Sequence, residues 1–237
     1  MTAELTDLLS PKFGNQIKFT PLNSGTRKKV YLAETPQTKF IVLVDSKKSI
    51  AVQYRSLRSN YIQKFLFQNG LEVADVLYLT TTADGRIVAC HTYIDGHQIT
   101  KMNKKSAFKL GQTLAKLHSV TFNNQLDHPS YPTKYKLYHI LKSQISLFRR
   151  LKNSLSKKVW HRLPRGICHY DPNLSNFIFS DDRVFIIDFD RCRYWPFVYE
   201  LKRFINTKQN KLFATQIING YQTVRPLTAD EKRVLDY

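Results

Sequence analysis

The sequence predicts an α+β protein of two lobes, a small antiparallel β-rich N-lobe carrying one helix and a larger, mainly helical C-lobe. Three observations predict it. Short β-branched and aromatic runs fill the first ninety-odd residues. Beyond Asp95-Gly96 the apolar residues recur at helical spacing. A pair of short strands around Asp181-Asp182 then interrupts the helical half. Residues 1–94 are read as the N-lobe, 95–98 as a hinge and 99–237 as the C-lobe. A cleft between two such lobes is a natural ligand site.

The N-lobe elements follow in order. Ile17–Phe19, Lys29–Ala33 and Phe40–Val44 are short strand-type runs, and Asn23-Ser24-Gly25-Thr26 turns the first into the second. Ile50–Gln68 reads as a helix, because Val52, Leu57, Ile62, Phe65 and Leu66 recur at helical spacing and Asn69-Gly70 supplies a stop. Val76–Thr80 and Arg86–Tyr93 flank Ala83-Asp84-Gly85 as a hairpin.

In the second half, Ser106–Val120 places Phe108, Leu110, Leu114 and Leu117 on one stripe. Pro129 and Pro132 break the chain. Tyr135–Leu155 is a further helix with Tyr138, Leu141, Ile145, Phe148, Leu151 and Leu155 on its apolar side. Phe177–Phe179 and Val184–Ile187 are strands turned by Asp181-Asp182. Helices return at Phe197–Asn206 and about Leu212–Tyr221, and Thr228 with Glu231 forms a capping box opening a last one.

Composition bounds the function. Hydrophobic residues are 42% of 237, enough to bury a core and to exclude wholesale disorder. No run approaches 18 apolar residues, so no transmembrane helix is expected. Met1–Ser10 carries two acids, no base and no apolar core, so no secretory leader is expected. Cys90, Cys168 and Cys192 are odd in number and widely spaced, which fits neither a disulfide framework nor a zinc site. A cytoplasmic location is the simplest expectation.

Net charge is +19, and residues 101–165 concentrate it, with 15 basic residues against the single acid Asp127. Such a field attracts an anionic partner, although a solvated basic helix face would give the same count. Nucleic acid is disfavoured: no RNP, KH or zinc-finger signature is present, and the basic residues do not alternate with aromatic ones.

The chemistry is carried by Gly166-Ile-Cys-His-Tyr-Asp-Pro-Asn-Leu-Ser-Asn176, which holds His169, Asp171 and Asn176 in the spacing H-x-D-x-x-x-x-N. Twelve residues after Asn176, the apolar run Phe185-Ile186-Ile187 ends in Asp188-Phe189-Asp190. Phosphoryl transfer needs such a set. One carboxylate accepts the proton of an attacking hydroxyl, and an amide oxygen with a second carboxylate holds Mg²⁺ on the phosphate oxygens. Asp171 suits the base, and Asn176 and Asp188 suit the metal.

His169–Asn176 followed by Ile186-Ile187-Asp188-Phe189-Asp190 resembles the aminoglycoside phosphotransferase and choline kinase superfamily, whose members have a protein-kinase-like fold and phosphorylate small molecules. Asp-Phe-Asp-Arg-Cys at 188–192 is also similar to lipopolysaccharide-core sugar kinases of that fold. The order of elements matches over most of the chain, and the specific motifs cover 166–190. The resemblance implies ATP, with GTP as an alternative nucleotide, and Mg²⁺. It implies Asp171 as base, His169 as a brace of the catalytic loop, Asn176 and Asp188 as magnesium ligands, and Asp190 as an auxiliary ligand or loop-orienting group. It also implies that Ser24-Gly25-Thr26 covers the phosphates and that the backbone around His91 and Tyr93 meets the adenine.

The sequence departs from the pattern at one end. The family's third-strand lysine is absent from Phe40–Val44, where Val42 lies nearest the expected position, and Val52–Gln68 contains no acidic partner for one. Losing both halves of a buried ion pair is coherent, since a lone buried charge costs several kcal/mol. Lys28, Lys29, Lys47 and Lys48 are the cations that could reach the phosphates from other positions. Glu200 stands where the family carries an aspartate after the strand motif. Many relatives continue for several more helices, so a small acceptor pocket, or one finished by another molecule, is expected.

The expected function is transfer from ATP to a hydroxyl of a small molecule or sugar, with an anionic acceptor suiting the basic stretch better than an aminoglycoside or choline. The alternatives are a catalytically weak or inactive kinase-fold binding protein and a binder of anionic polymers. Lys136, Lys142, Arg149, Arg150 and Lys152 on Tyr135–Leu155 also allow peripheral contact with an anionic surface, although that helix's apolar stripe is more simply a core face.

Overall fold

The structure, a computed structural model, describes residues 2–22, 27–121 and 157–236. Two compact units divide the chain: Met1–Lys101 with Asn173–Cys192, and Met102–Pro172 with Arg193–Tyr237. The helix expected at Tyr135–Leu155, the breaks at Pro129 and Pro132 and the turn Asn23–Thr26 lie outside the described residues.

The first unit holds a five-stranded antiparallel sheet of order β1-β2-β3-β5-β4. Its strands are β1 (Lys18–Leu22), β2 (Lys28–Glu34), β3 (Lys39–Asp45), β4 (Val76–Thr81) and β5 (Ile87–Thr92). Side chains alternate across the pleat. On one face Phe40, Val42 and Val44 of β3 are fully buried with Ala33, Val88 and Cys90. Leu5 and Leu9 of helix α1 (Thr2–Phe13) cover that face, and Phe13 stacks on Phe40 with ring centroids 4.2 Å apart. The sequence reading had strands around a single helix, so α1 is a correction. Its signal was present, because Leu5, Leu9 and Phe13 recur every four residues, but twelve residues with Pro11 near the end make a weak pattern.

Helix α2 spans Ile50–Gln68, with Asn69 as its C-cap and Gly70 beyond it at φ +75°. The bounds agree with the sequence and the packing does not. Of the expected apolar stripe only Leu66 is buried, and Leu57 is exposed together with Ile50, Tyr61 and Phe67. The buried face carries Ser56, Arg58, Ser59, Asn60 and Gln63 instead. Those groups have partners. Arg58 donates to the Cys192 carbonyl at 2.7 Å, and Gln63 donates to the Ala74 carbonyl at 2.8 Å.

A second sheet of order β6-β8-β9 completes this unit: β6 (His97–Gln98), β8 (Phe177–Ser180) and β9 (Arg183–Ile186). Asp181 and Asp182 turn β8 into β9 as read, both at positive φ, a conformation that Asp tolerates better than most residues.

In the second unit, helix α3 (Lys104–Ser119) begins at a reciprocal capping box in which the Asn103 and Ser106 side chains bond each other's backbone N–H. It is followed by α4 (Lys157–Arg162), the antiparallel pair β7 (Arg165–Cys168) and β10 (Arg193–Pro196), then α5 (Phe197–Ile205), α6 (Ala214–Gln222) and α7 (Ala229–Asp236). The β7–β10 pair was not foreseen; four-residue strands leave little period to read. Thr228 and Glu231 form the capping box expected at the last helix. Helices α3 and α6 cross at Gly111 and Gly220. A side chain at either would fall on a backbone carbonyl of the other helix, Ile217 or Phe108.

No helix among the described residues is long and apolar enough to cross a membrane.

Candidate active site

In the first unit β9 delivers the chain to Asp188. The Ile187 N–H donates to the Asn176 carbonyl at 2.9 Å, so the backbone ties Asn176 to the strand end. Asn176 closes a 3-10 turn (Leu174–Asn176) whose entry is capped by the Asn173 side chain. Asp188 is exposed and adopts a left-handed φ of 63°, and its carboxylate accepts the Asp190 N–H at 3.4 Å. An amide and a carboxylate on two adjoining, backbone-fixed turns supply the oxygen donors that a hard divalent cation takes.

Asp190 faces the sheet. Lys28, at the head of β2, donates to its Oδ1 at 2.6 Å, and both side chains are largely buried. Lys28 lies opposite Asp45 of β3, on the face away from α1. This parity explains the lysine missing from β3. Val42, the position nearest the expected one, is fully buried in the core under α1, where a lysine's charge would have no partner. The cation facing Asp190 comes from the neighbouring strand.

Asp45 is almost fully buried. Loss of solvation pushes its carboxyl up to about 6; Lys28 opposes the rise and the Asp190 charge adds to it. Beside it opens a cavity of about 280 Å³, lined by Arg27, Lys47 and Arg55 as well as Asp45, Asp190, Val52 and Ser56. Sequence reasoning missed Arg27, Asp45 and Arg55. Arg27 directly precedes Lys28 and Asp45 ends a strand, but no spacing motif marks either.

His91 is a core residue. Gln63 Nε2 donates to its Nδ1 at 3.1 Å, and its Nε2–H donates to Asn60 Oδ1 at 2.6 Å. Burial holds it neutral, with its pKa pushed down to about 3. Its side chain is therefore committed to α2. Tyr93 is exposed just beyond β5, and Ser24, Gly25 and Thr26 lie outside the described residues.

The second unit holds His169 and Asp171, in the loop that leaves β7. The His169 N–H donates to Glu200 Oε2 at 3.1 Å, and the Tyr170 N–H donates to Glu200 Oε1. Tyr170 sits at a left-handed φ of 64°. Glu200, in the first turn of α5, is buried. Burial alone would raise its pKa. The hydrogen bond and charge of His118, with the backbone N–H of Tyr170, win and hold it below the ordinary carboxylate range. A polar chain continues from it. His118 meets Glu200 at 2.7 Å through Nε2 and the Tyr221 hydroxyl at 2.8 Å through Nδ1. Arg225 donates to that hydroxyl at 3.0 Å and pairs with Glu231 at 3.0 Å. Four helices thus fix the two residues preceding Asp171, which is half-buried. Glu200 stands where the sequence expected a substitute for the family's aspartate. His118, Tyr221 and Arg225 were not foreseen, because they come from two stretches of chain remote from the motif and from each other.

The structure therefore groups Lys28, Asn176, Asp188 and Asp190 in one unit, and His169, Asp171 and Glu200 in the other.

A sequence model described as the phosphotransferase enzyme family matches residues 18–233. A homoserine kinase of Neisseria meningitidis serogroup B is 29% identical over 163 residues, covering 62% of this chain and 52% of its own. The chain thus spans about half the length of that curated relative. Among solved structures, the gentamicin complex of APH(2")-IIa superposes with a TM-score of 0.66 at 19% identity, covering all of this chain and 86% of its own. Spectinomycin phosphotransferase APH(9)-Ia, solved with ADP and spectinomycin, gives 0.62 at 16% identity, covering 99% and 82%. At these identities the structural likeness speaks for the fold.

Proposed function

Because the chain belongs to the phosphotransferase enzyme family, we propose that it transfers the terminal phosphoryl group of ATP, with Mg²⁺, to a hydroxyl of a small molecule or sugar. The observation that carries this reading is the backbone bond from Ile187 to Asn176, which sets an amide beside the strand end bearing Asp188. Asn176 and Asp188 would hold the metal, whose charge neutralises the phosphate oxygens during transfer. Lys28 serves as the phosphate cation in place of a third-strand lysine, and Arg27, Lys47 and Arg55 give the adjoining cavity the charge to take a phosphate chain. Asp171 accepts the proton of the acceptor hydroxyl. The acceptor oxygen forms its bond to the γ-phosphorus as the bond to the β–γ bridging oxygen breaks, and ADP leaves. The buried Glu200 holds the backbone that presents Asp171.

A thermal-shift titration with ATP and Mg²⁺ tests this first. Binding at ~100 times Kd stabilises by about 2.7 kcal/mol, so a clear rise in Tm is expected. Lys28→Ala and Asp188→Asn are expected to weaken it. Asp171→Asn is expected to bind ATP and to lose ADP production with a library of hydroxylated metabolites. Absence of any magnesium-dependent shift, with ATP or GTP, overturns the reading.

One observation favours a second reading. The Lys28 ammonium is already held by Asp190, so phosphate must compete for it. A kinase-fold binding protein would then show magnesium-dependent ATP binding with no turnover on any acceptor.

A further inference from the structure

We infer that the Lys28–Asp190 pair gates the donor site: Asp190 holds the Lys28 ammonium until a divalent cation replaces it, and Lys28 then turns to the phosphate. This rests on the reading of Lys28 as the phosphate cation and of Asp188 as a metal ligand.

The pair is close and dry. Lys28 Nζ lies 2.6 Å from Asp190 Oδ1, and the two side chains are only 16% and 8% exposed. Water therefore screens the attraction weakly, and neither charge is easily left alone. The partners differ in freedom. Asp190 is the middle residue of a 3-10 turn, Phe189–Arg191. Phe189 is fully buried, the Cys192 N–H closes the turn on the Phe189 carbonyl at 3.0 Å, and Arg58 of α2 donates to the Cys192 carbonyl at 2.7 Å. Lys28 carries its ammonium on a flexible four-carbon stem. When the pair opens, the ammonium moves and the carboxylate stays.

The carboxylate that stays faces the place where phosphate enters. Asp190 lines the same cavity as Arg27, Lys47 and Arg55. A phosphate chain entering without a metal meets two penalties. It approaches the Asp190 charge, and in drawing Lys28 to itself it strips that charge of its partner. Asp45, paired with Lys28 in the strand register and lining the same cavity, offers the ammonium a second hold away from phosphate. With a cation at Asp188 and Asp190 both penalties fall away. The two carboxylates belong to one turn, since the Asp190 N–H donates to Asp188 Oδ1 at 3.4 Å. Asp190 then exchanges an ammonium for a counter-ion of higher charge. Metal and phosphate each make room for the other, and linkage makes that help mutual, in a range of about 5–150-fold for coupled sites.

The test is calorimetry on the full chain with four probes: ATP with Mg²⁺, ATP with EDTA, inorganic tripolyphosphate with EDTA, and Mn²⁺ alone. Asp190→Asn keeps the shape and releases Lys28. It is expected to bind ATP and tripolyphosphate in EDTA about tenfold more tightly than the parent, and to lose most of the gain that Mg²⁺ gives. Lys28→Met opens the pair from the other side. It is expected to bind Mn²⁺ alone about tenfold more tightly than the parent, while its affinity for ATP with Mg²⁺ falls. Thermal melts show that each variant is folded, and either variant decides by itself if the other is not. Metal-free binding to Asp190→Asn no tighter than to the parent, or Mn²⁺ bound no more tightly by Lys28→Met, overturns the proposal. Failure of the phosphotransfer reading looks different: neither ATP nor tripolyphosphate then binds to any form, with or without metal, while the Mn²⁺ arm still decides on the pair.

Discussion

Asp45 and His91 are buried titratable groups on the sheet of the first unit, and their pH effects run in opposite directions. A carboxyl raised to about 6 takes up a proton more readily in the folded state than in the unfolded one. Asp45 therefore favours folding at low pH, and that contribution is lost as pH rises from roughly 4 to 6. His91, lowered to about 3, favours folding above its ordinary pKa and loses that contribution as pH falls through roughly 6.5 to 3. Asp45→Asn is expected to raise Tm at pH 7 by a few degrees and to steepen the decline between pH 6 and 4, where His91 then acts unopposed. Thermal melts across pH check this; a variant with the parent's profile would show that Asp45 keeps its ordinary pKa. The Asp45 carboxylate also balances Lys28, so the same variant should strengthen ATP binding if Lys28 is the phosphate cation.

At the scale of elements, α2 reverses the usual amphipathic logic. Its buried face is satisfied by hydrogen bonds: Asn60 and Gln63 to His91, Gln63 to the Ala74 carbonyl and Arg58 to the Cys192 carbonyl. Asn60→Ala is expected to cost about 1–3 kcal/mol, because it strands the His91 donor in a dry interior. Leu57→Ser, on the exposed side, is expected to change stability by less than about 0.5 kcal/mol. Urea denaturation of both variants measures the contrast, and a larger loss for Leu57→Ser would mean that the helix packs by its apolar stripe after all. Helix α5 shows the same dependence on a buried polar group. Glu200→Gln keeps the shape but removes the charge shared by His118 and two loop N–H groups. Its expected effect is a fall in kcat of roughly tenfold or more, with ATP affinity retained.

The whole molecule is dominated by its charge. At +19 on 237 residues, self-repulsion works against the compact state. Screening shortens its range from about 30 Å at 0.01 M salt to about 8 Å at 0.15 M. Tm is therefore expected to rise between these conditions in scanning fluorimetry, and a fall would show that ion pairs such as Lys28–Asp190 outweigh the repulsion.

The amino-acid order by itself determined the strands of the first unit other than β6, which falls in the stretch read as a hinge, the extent of α2, the capping box at Thr228 and Glu231, and the candidate residues of the H-x-D and DxD motifs. All of these are local: pleat and helix periods, turn residues and fixed spacings are written within 25 residues or fewer. Only the tertiary structure decided which face of α2 is buried, that Val42 points into the core under α1, that Lys28 rather than a third-strand lysine meets Asp190, and that Glu200 joins His118, Tyr221 and Arg225 behind Asp171. The Lys28–Asp190 pair spans 162 positions and the His118–Tyr221 bond 103. A polar side chain's partner depends on which elements fold against it, and no period or motif within one segment records that choice. The resemblance could name Asp171, Asn176 and Asp188 as candidates. Packing assigned the cation that faces Asp190, because that pairing depends on side chains brought together from distant stretches of the chain.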